Sequence, residues 1–210
     1  MSLTLVIGDK TYSTWSLRAA LALELTGEPY REVLIALNRS DTRARILEHS
    51  PTGKVPLLIS ADGPVWDSLA IAEYLAECFA EAHLWPQARA ARAMARSVCA
   101  EMHSGFVALR THLPMDLKRD QALPEVPSDA QLDIQRICAL WAECRAGFGQ
   151  NGAFLFGQPC LADAFFAPVA ARLRSYQVEL PAEAAAYVET IYQWPAFQRW
   201  YQAAQEEHLA

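Results

Sequence analysis

The chain has 210 residues, of which 52% are hydrophobic and 20% charged, and its net charge is −6. This length is enough for one large domain or two small ones with a real core, and the composition excludes disorder as the main state. The acidic balance argues against nucleic-acid binding, because there is no excess of basic side chains to neutralise phosphates.

Other global features point to a cytoplasmic protein. No run of 18 apolar residues occurs, so we expect neither a transmembrane helix nor a membrane partner. Residues 1–7 have no basic start and no cleavage site, and they are typical of a first strand. The five cysteines are odd in number, widely spaced and without a CxxC pair. This pattern argues against a disulfide framework or a zinc site, and we expect no bound metal.

The first 82 residues mix strands and helices. Hydrophobic periodicity and turn signals predict strands at 3–7, 31–37, 55–59 and 64–66, and helices at 16–26, 40–49 and 69–79. The first two strands are joined by a helical crossover, so they should be parallel. The hairpin at Asp62-Gly63 should add an antiparallel edge strand. This order predicts a thioredoxin-like α/β domain at residues 1–82.

The rest of the chain, after a linker at residues 83–87, is predicted to be an all-α domain at 88–210. An apolar stripe from Met94 to Leu109 indicates one long amphipathic helix. Three prolines place a loop at residues 114–128. Further helices are predicted around residues 134–144 and at 161–176, 182–192 and 195–205. The very apolar segment 161–176 should be the buried central helix.

The loop after the first strand carries the first candidate chemistry. It contains Ser13-x-x-Ser16 where a thioredoxin-like oxidoreductase has CxxC, so thiol–disulfide exchange through an enzyme cysteine is disfavoured. A hydroxyl at a helix N-terminus can instead donate a hydrogen bond to an anion such as a bound thiolate. The alternative is that Ser13 and Ser16 only cap the helix.

Two further pairs suggest a site for an extended, anionic peptide. Val55-Pro56 begins an apolar strand, and its backbone could pair with a peptide ligand; the sequence leaves open whether this bond is cis. Asp67-Ser68 precedes a helix, where the pair could simply act as a cap. Alternatively, the helix N–H groups could hold a carboxylate while Asp67 pairs with an ammonium, as an α-amino acid head group requires.

These motifs resemble those of the cytosolic glutathione S-transferase superfamily, and the resemblance covers essentially the whole chain. It is carried by residues 12–18 (YSTWSLR), 53–56 (GKVP), 66–75 (WDSLAIAEYL) and 161–164 (LADA). The serine-rich first loop is most similar to the serine-type classes, zeta among them. The resemblance implies a homodimer that acts in detoxification, with glutathione as co-substrate and no metal.

The resemblance also implies roles for individual residues. Ser13 matches the catalytic serine, whose hydroxyl stabilises the glutathione thiolate. The other matched residues bind glutathione: the backbone of Val55 beside the cis-proline position Pro56, the γ-glutamyl binders Asp67 and Ser68, and Lys54 near the glycine carboxylate. Asp163 matches the structural acid of a capping box that opens the central helix.

The chain departs from the zeta pattern at three places. Cys160 stands where the capping box has Ser or Thr, and a thiol is a poorer acceptor. The zeta loop has Ser-Ser-Cys-Ser where this chain has Ser-Thr-Trp-Ser at residues 13–16. The zeta arginine of the central helix falls at Ser175, one position after Arg174. These departures weaken assignment as a maleylacetoacetate isomerase but not glutathione binding.

The second substrate is expected between the two domains. The candidate residues there are Trp15, His103, Arg110, Arg174 and Tyr176. An arginine could hold a carboxylate or polarise a leaving group, although His103 on an apolar stripe could equally be a core residue. Three functions stay open: a transferase acting on a small electrophile, a glutathione-dependent cis-trans isomerase of a maleyl-type diacid, and a non-catalytic interaction protein with this fold.

Overall fold

The N-terminal part of the chain is an α/β unit. A computed structural model describes residues 3–208, so residues 1–2 of the predicted span 1–82 and residues 209–210 of the predicted span 88–210 lie outside it. The elements of this part are β1 Leu3–Ile7, α1 Thr14–Thr26, β2 Tyr30–Leu34, α2 Thr42–Leu47, β3 Leu57–Ser60, β4 Gly63–Trp66 and α3 Ser68–Cys78.

The sheet has the strand order β2-β1-β3-β4. Strands β1 and β2 are parallel, with Leu3 opposite Tyr30 and Ile7 opposite Leu34. Strand β3 runs antiparallel to β1, and β4 forms the antiparallel edge. The predicted crossover and hairpin are therefore confirmed, and the unit is thioredoxin-like. The boundaries differ from the predictions by a few residues, as helix and strand ends commonly do.

The C-terminal part is all helical, as predicted. Its helices are α4 Arg89–Ser104, α5 Val107–His112, α6 Ser128–Phe148, α7 Leu161–Ser175, α8 Ala182–Gln193 and α9 Pro195–Glu206. The segment between α5 and α6 is the predicted proline-containing loop. Among residues 3–208, no helix is both long and apolar enough to cross a bilayer.

The prediction of one long helix through residues 94–109 was wrong. Helix α4 ends where the N–H of Gly105 bonds the carbonyl of Glu101, and Phe106 has a left-handed backbone with φ 55°. Helix α5 then begins at Val107. Phe106 nevertheless stays buried, as do Met102 and Leu109. The apolar stripe continues across the break, which is why periodicity did not show it.

Helix α7 is the buried centre of the second part, and α1 packs against it. Its first turn is closed by a capping box of Cys160 and Asp163. The Asp163 carboxylate accepts hydrogen bonds from the N–H groups of Cys160 and Leu155 and from the hydroxyl of Tyr187. Burial raises the pKa of Asp163 to about 6. This network anchors α7, and through it α1 with the loop that precedes it.

Candidate glutathione site

A cavity of about 530 Å³ lies beside the N-terminal ends of α1 and α3. It gathers several of the predicted groups, although they come from three separate segments of the chain. The lining residues are Trp15, Thr52, Lys54, Val55, Pro56, Trp66, Asp67 and Ser68. Thr52 and Trp66 were not predicted; their only sequence signal is their position next to the GKVP and DS motifs.

The corner before α3 is built to receive a polar ligand. Asp67 has a left-handed backbone with φ 75°, and its Oδ1 accepts the N–H of Leu69 at 2.8 Å. Ser68 is one of the lining residues, and its buried hydroxyl has no hydrogen-bond partner within residues 3–208. A buried polar group without a partner is rare and needs an explanation. Both features suit a ligand that carries an ammonium and a carboxylate.

His103 brings α4 of the second part to the same corner. Its Nε2 lies 3.3 Å from Oδ2 of Asp67, and its ring meets the ring of Trp15 edge-on, with centroids 5.0 Å apart. Burial lowers the pKa of His103, and the positive charges of Arg18 and Arg110 act in the same direction against the attraction of Asp67. His103 is therefore mostly neutral at pH 7.

The predicted peptide-binding segment forms another wall of the cavity. The Val55-Pro56 bond, which the sequence left open, is cis. Pro56 is buried, whereas Lys54 is exposed beside it. The N–H of Lys54 donates to Oγ1 of Thr52 at 3.3 Å. Both a cationic side chain and the backbone that precedes β3 thus lie along this wall.

Ser13 lies at the N-terminal end of α1, two residues before Trp15. Its hydroxyl donates to Oγ of Ser16 at 2.7 Å, and that oxygen also accepts the N–H of Gly8 at 3.0 Å. The two serines therefore connect the end of β1 to α1. This arrangement differs from the simple capping that the sequence left open, in which each hydroxyl would accept a helix N–H group.

Two arginines lie over the ring of Trp15, and a third bonds the preceding residue. The guanidinium of Arg18 lies 4.4 Å from the Trp15 ring centre, and that of Arg110 lies 5.6 Å from it. Arg172 of α7 donates to the hydroxyl of Thr14 at 2.9 Å. Arg18 is fully buried, and within the described chain its three guanidinium nitrogens have no hydrogen-bond partner.

This cluster places three positive charges near the contact between α1 and α7. Burial, and then repulsion from Arg172 and Arg110, lowers the pKa of Arg18 to about 9. Sequence reasoning did not single out Arg18 as a site residue. The sequence feature that could have identified Arg18 is a charged side chain within a mostly apolar helical run. Such a residue is notable because Lys and Arg are almost never fully buried unless paired.

Two predicted second-substrate residues lie elsewhere. Arg174 pairs with Glu189 at 3.1 Å and covers the ring of Tyr192, at the contact between α7 and α8. Arg174 follows Arg172 by two residues, which is about 200° around a helix, so the two point in opposite directions. Tyr176 packs under the guanidinium of Arg119 at 4.2 Å. We leave Arg174 and Tyr176 out of the site proposed below.

The architecture alone defines a class: a thioredoxin-like domain followed by a helical domain, with a cavity in the first domain near which His103 of the second contacts Asp67. Comparison with known proteins is consistent with this class. Residues 12–78 match the family described as "Glutathione S-transferase, N-terminal domain". A probable maleylacetoacetate isomerase from Caenorhabditis elegans is 32% identical over 93 residues, which cover 44% of this chain and 42% of that protein. The match thus spans less than half of that relative's length.

Solved structures match over nearly the whole chain. A glutathione transferase homologue from Burkholderia gl BGR1 with bound glutathione has a TM-score of 0.73 at 23% identity, covering 99% of this chain and 100% of that one. A theta-class enzyme from Xanthomonas axonopodis pv. citri, also with glutathione bound, has a TM-score of 0.68 at 23% identity, covering 100% and 99%. Residues 12–78 therefore resemble the N-terminal domain of glutathione S-transferases, and the whole chain has the same fold as these solved structures.

Proposed function

We propose that the protein is a serine-type glutathione S-transferase that activates the glutathione thiol for attack on a small electrophile. The observation that carries this proposal is the corner at α3. A buried hydroxyl without a partner, Ser68, and the carboxylate of Asp67 line one cavity at a helix N-terminus. These groups are complementary to the carboxylate and the ammonium of a γ-glutamyl head group.

The remaining contacts involve other residues that line the cavity and Ser13, which is not among the lining residues but lies at the start of α1 beside Trp15. Lys54 would hold the glycine carboxylate, and the backbone at Val55-Pro56 would pair with the peptide of the central cysteine. Ser13 would donate its hydroxyl hydrogen bond to the sulfur after turning away from Ser16. The neighbouring structures with bound glutathione support this assignment of the cavity.

Ser13 and the start of α1 can provide the required activation. A free thiol has a pKa of about 8.5, and lowering it by about two units requires roughly 2.7 kcal/mol of preferential thiolate stabilisation. A hydrogen bond to a charged group contributes about 1.5–3 kcal/mol, and a helix N-terminus adds up to about 1 kcal/mol. Bound glutathione then supplies a sulfur nucleophile that attacks an electrophilic carbon or adds reversibly to a cis double bond.

The arginine cluster favours a second candidate function, cis-trans isomerisation of a maleyl-type diacid. Arg18 and Arg110 place positive charge against the ring of Trp15, and Arg172 places it against Thr14. The probable maleylacetoacetate isomerase among the relatives supports the same class of substrate and a zeta-like origin. The zeta-type arginine position is Ser175 in this chain, so any carboxylate contact would be made by different arginines.

The cellular location, the oligomeric state and the roles of the two domains are also part of the proposal. We infer a cytoplasmic homodimer in which residues 1–82 bind glutathione and residues 88–210 contribute most of the second-substrate pocket. Trp15, His103 and Arg110 are the residues we expect to face that substrate. His103 and Trp15 are in ring contact, and the Arg110 guanidinium lies near the same indole.

Calorimetric titration with glutathione tests the proposed head-group site. Asp67→Asn keeps the oxygen that caps α3 but removes the charge, and we expect affinity to fall about 10-fold to 100-fold, since a hydrogen bond to a charged group contributes about 1.5–3 kcal/mol. Ser68→Ala should weaken binding in the same direction. Asp129→Asn, at the exposed start of α6, is the matched control. Absence of binding by the parent at millimolar glutathione would contradict the proposal and favour an interaction protein.

A further inference from the structure

The end of the chain holds the loop that leads to Ser13. Glu207 directly follows α9, and its carboxylate reaches across to the loop after β1. Its Oε1 accepts the N–H of Lys10 at 2.9 Å. Its Oε2 accepts the N–H of Thr11 at 3.1 Å and the Thr11 hydroxyl at 2.9 Å. One side chain from the second part therefore binds three donors of the first.

The two loop residues take all their backbone partners from the second part. Besides the bonds to Glu207, the carbonyl of Lys10 accepts the indole N–H of Trp200 at 3.0 Å. The carbonyl of Thr11 accepts the N–H of Leu117 at 3.2 Å. These segments lie more than 100 residues away in sequence, so local preferences do not fix the loop. Its shape depends on the C-terminal helical part.

This loop determines where the Ser13 hydroxyl lies. The N–H of Ser13 bonds the carbonyl of Asp9 at 2.8 Å, which closes a turn whose middle residues include Lys10 and Thr11. Release of those residues would loosen the turn and shift Ser13 relative to the cavity. The groups that line the α3 corner, Asp67 and Ser68, have no bond to Glu207 among the described contacts and should stay in place.

We propose that Glu207 is a positioning residue that holds Ser13 in the geometry needed to stabilise a bound thiolate; this inference rests on the proposed function. It acts through the loop and does not touch substrate. A carboxylate suits this task because all of its sites accept hydrogen bonds. A glutamine would instead place an NH₂ group against a backbone N–H, whichever way its amide turned.

The test compares Glu207→Gln with the matched control Glu206→Gln. Glu206 is the preceding residue, is exposed, and is bonded by the side chain of Gln202. We expect Glu207→Gln to raise the pKa of bound glutathione by about half a unit to one unit toward the free value of about 8.5. At a pH below the pKa of bound glutathione in the parent, kcat of Glu207→Gln should be about 3-fold to 10-fold lower than that of the parent, because the fraction of thiolate falls by this factor. The KM for glutathione should change little, and Glu206→Gln should match the parent.

A second variant and a second readout separate the possible outcomes. Thr11→Val removes one donor to Glu207 and should shift the thiol pKa in the same direction by less. Hydrogen exchange at the Lys10 and Thr11 amides should be faster in Glu207→Gln. A lowered thiol pKa in the parent that is unchanged in Glu207→Gln would overturn this inference alone. An unshifted thiol pKa in the parent would overturn both this inference and the transferase proposal.

Discussion

Nε2 of His103 lies 3.3 Å from Oδ2 of Asp67. The first residue belongs to the helical part and the second to the α/β part, so the head-group corner is assembled from both. Oδ1 of Asp67 is occupied by the cap of α3, which leaves Oδ2 for a ligand. An incoming ammonium would therefore bind the oxygen that His103 faces. The charge on His103 should control how strongly that ammonium is held.

Glutathione affinity should fall as the pH drops below about 6.5, the ordinary pKa of histidine. The pKa of His103 is lowered by burial and by Arg18 and Arg110, so it is neutral at pH 7 and gains its proton only in more acidic solution. The imidazolium would then pair with Asp67 and compete with the ligand. We expect His103→Asn to flatten this decline in calorimetric titrations between about pH 5 and pH 7.

The control for this experiment is a similar pair on the surface. His112 lies 3.4 Å from Asp129, and both side chains are well exposed. His112→Asn should leave the pH profile of glutathione binding unchanged. A profile for His103→Asn that follows the parent would show that protonation of His103 does not control the head-group corner.

Arg18→Met should make the protein more stable at pH 7. Because burial lowers the pKa of Arg18 only to about 9, the group is still charged at pH 7. The unfolded chain holds this proton more tightly, so the loss of stability caused by the buried charge is full below about pH 9 and declines as the pH rises above that value. Replacing buried ionic groups by apolar ones commonly gains about 1–4 kcal/mol. Urea denaturation measures the gain, with Arg136→Met at an exposed ion pair as the control.

The same variant tests the isomerase alternative. If the arginine cluster holds a carboxylate, maleate should raise the melting temperature of the parent, and dimethyl maleate should not. Arg18→Met should lose most of the maleate response while becoming more stable itself. An equal response to maleate in parent and variant would show that Arg18 does not take part in carboxylate binding.

The capping box of α7 should be a main determinant of stability. Asp163→Ala leaves the N–H groups of Cys160 and Leu155 and the Tyr187 hydroxyl without their acceptor. We expect a loss of at least about 3 kcal/mol of unfolding free energy, since each orphaned buried group costs about 1–3 kcal/mol. Cys160→Ser should act oppositely and gain up to about 1 kcal/mol, because a hydroxyl is the better cap acceptor. Cys138→Ser, which lies outside the cap, is the control.

The pH dependence of this network has a definite sign. The pKa of Asp163 is raised to about 6, so the folded protein takes up this proton more readily than the unfolded chain. The contribution of Asp163 to the free energy of unfolding therefore falls as the pH rises from about 4 to about 6, and it is constant above about pH 6. The slope should be smaller in Asp163→Ala. A slope as large as that of the parent would contradict the raised pKa of Asp163.

Much of the fold could be predicted from local signals. The apolar run of β1, the hairpin at Asp62-Gly63 and the uninterrupted apolar segment of α7 each specify an element whatever its neighbours do. The break at Gly105-Phe106 could not be predicted, because the buried side chains keep their spacing across it. The helical backbone is interrupted there, whereas the hydrophobic pattern is not.

The site was predictable only where its residues share a motif. Asp67 and Ser68 carry both a cap signal and a family signal. The contacts of His103 with Asp67 and of Glu207 with Thr11 join residues far apart in sequence, and no short-range pattern encodes them. Arg174 was expected near the second substrate, but it lies against Glu189 and Tyr192. Its closeness in sequence to Arg172 does not place the two side chains on one helix face.

The central claim is that Ser13 lowers the pKa of bound glutathione. The most direct measurement is the ultraviolet thiolate absorbance of the complex against pH for the parent, Ser13→Ala and the exposed control Ser97→Ala. We predict a pKa of about 6.5 in the parent and the control, and a return toward about 8.5 in Ser13→Ala. A value near 8.5 in all three proteins, or an unchanged low value in Ser13→Ala, would contradict the proposed role of Ser13.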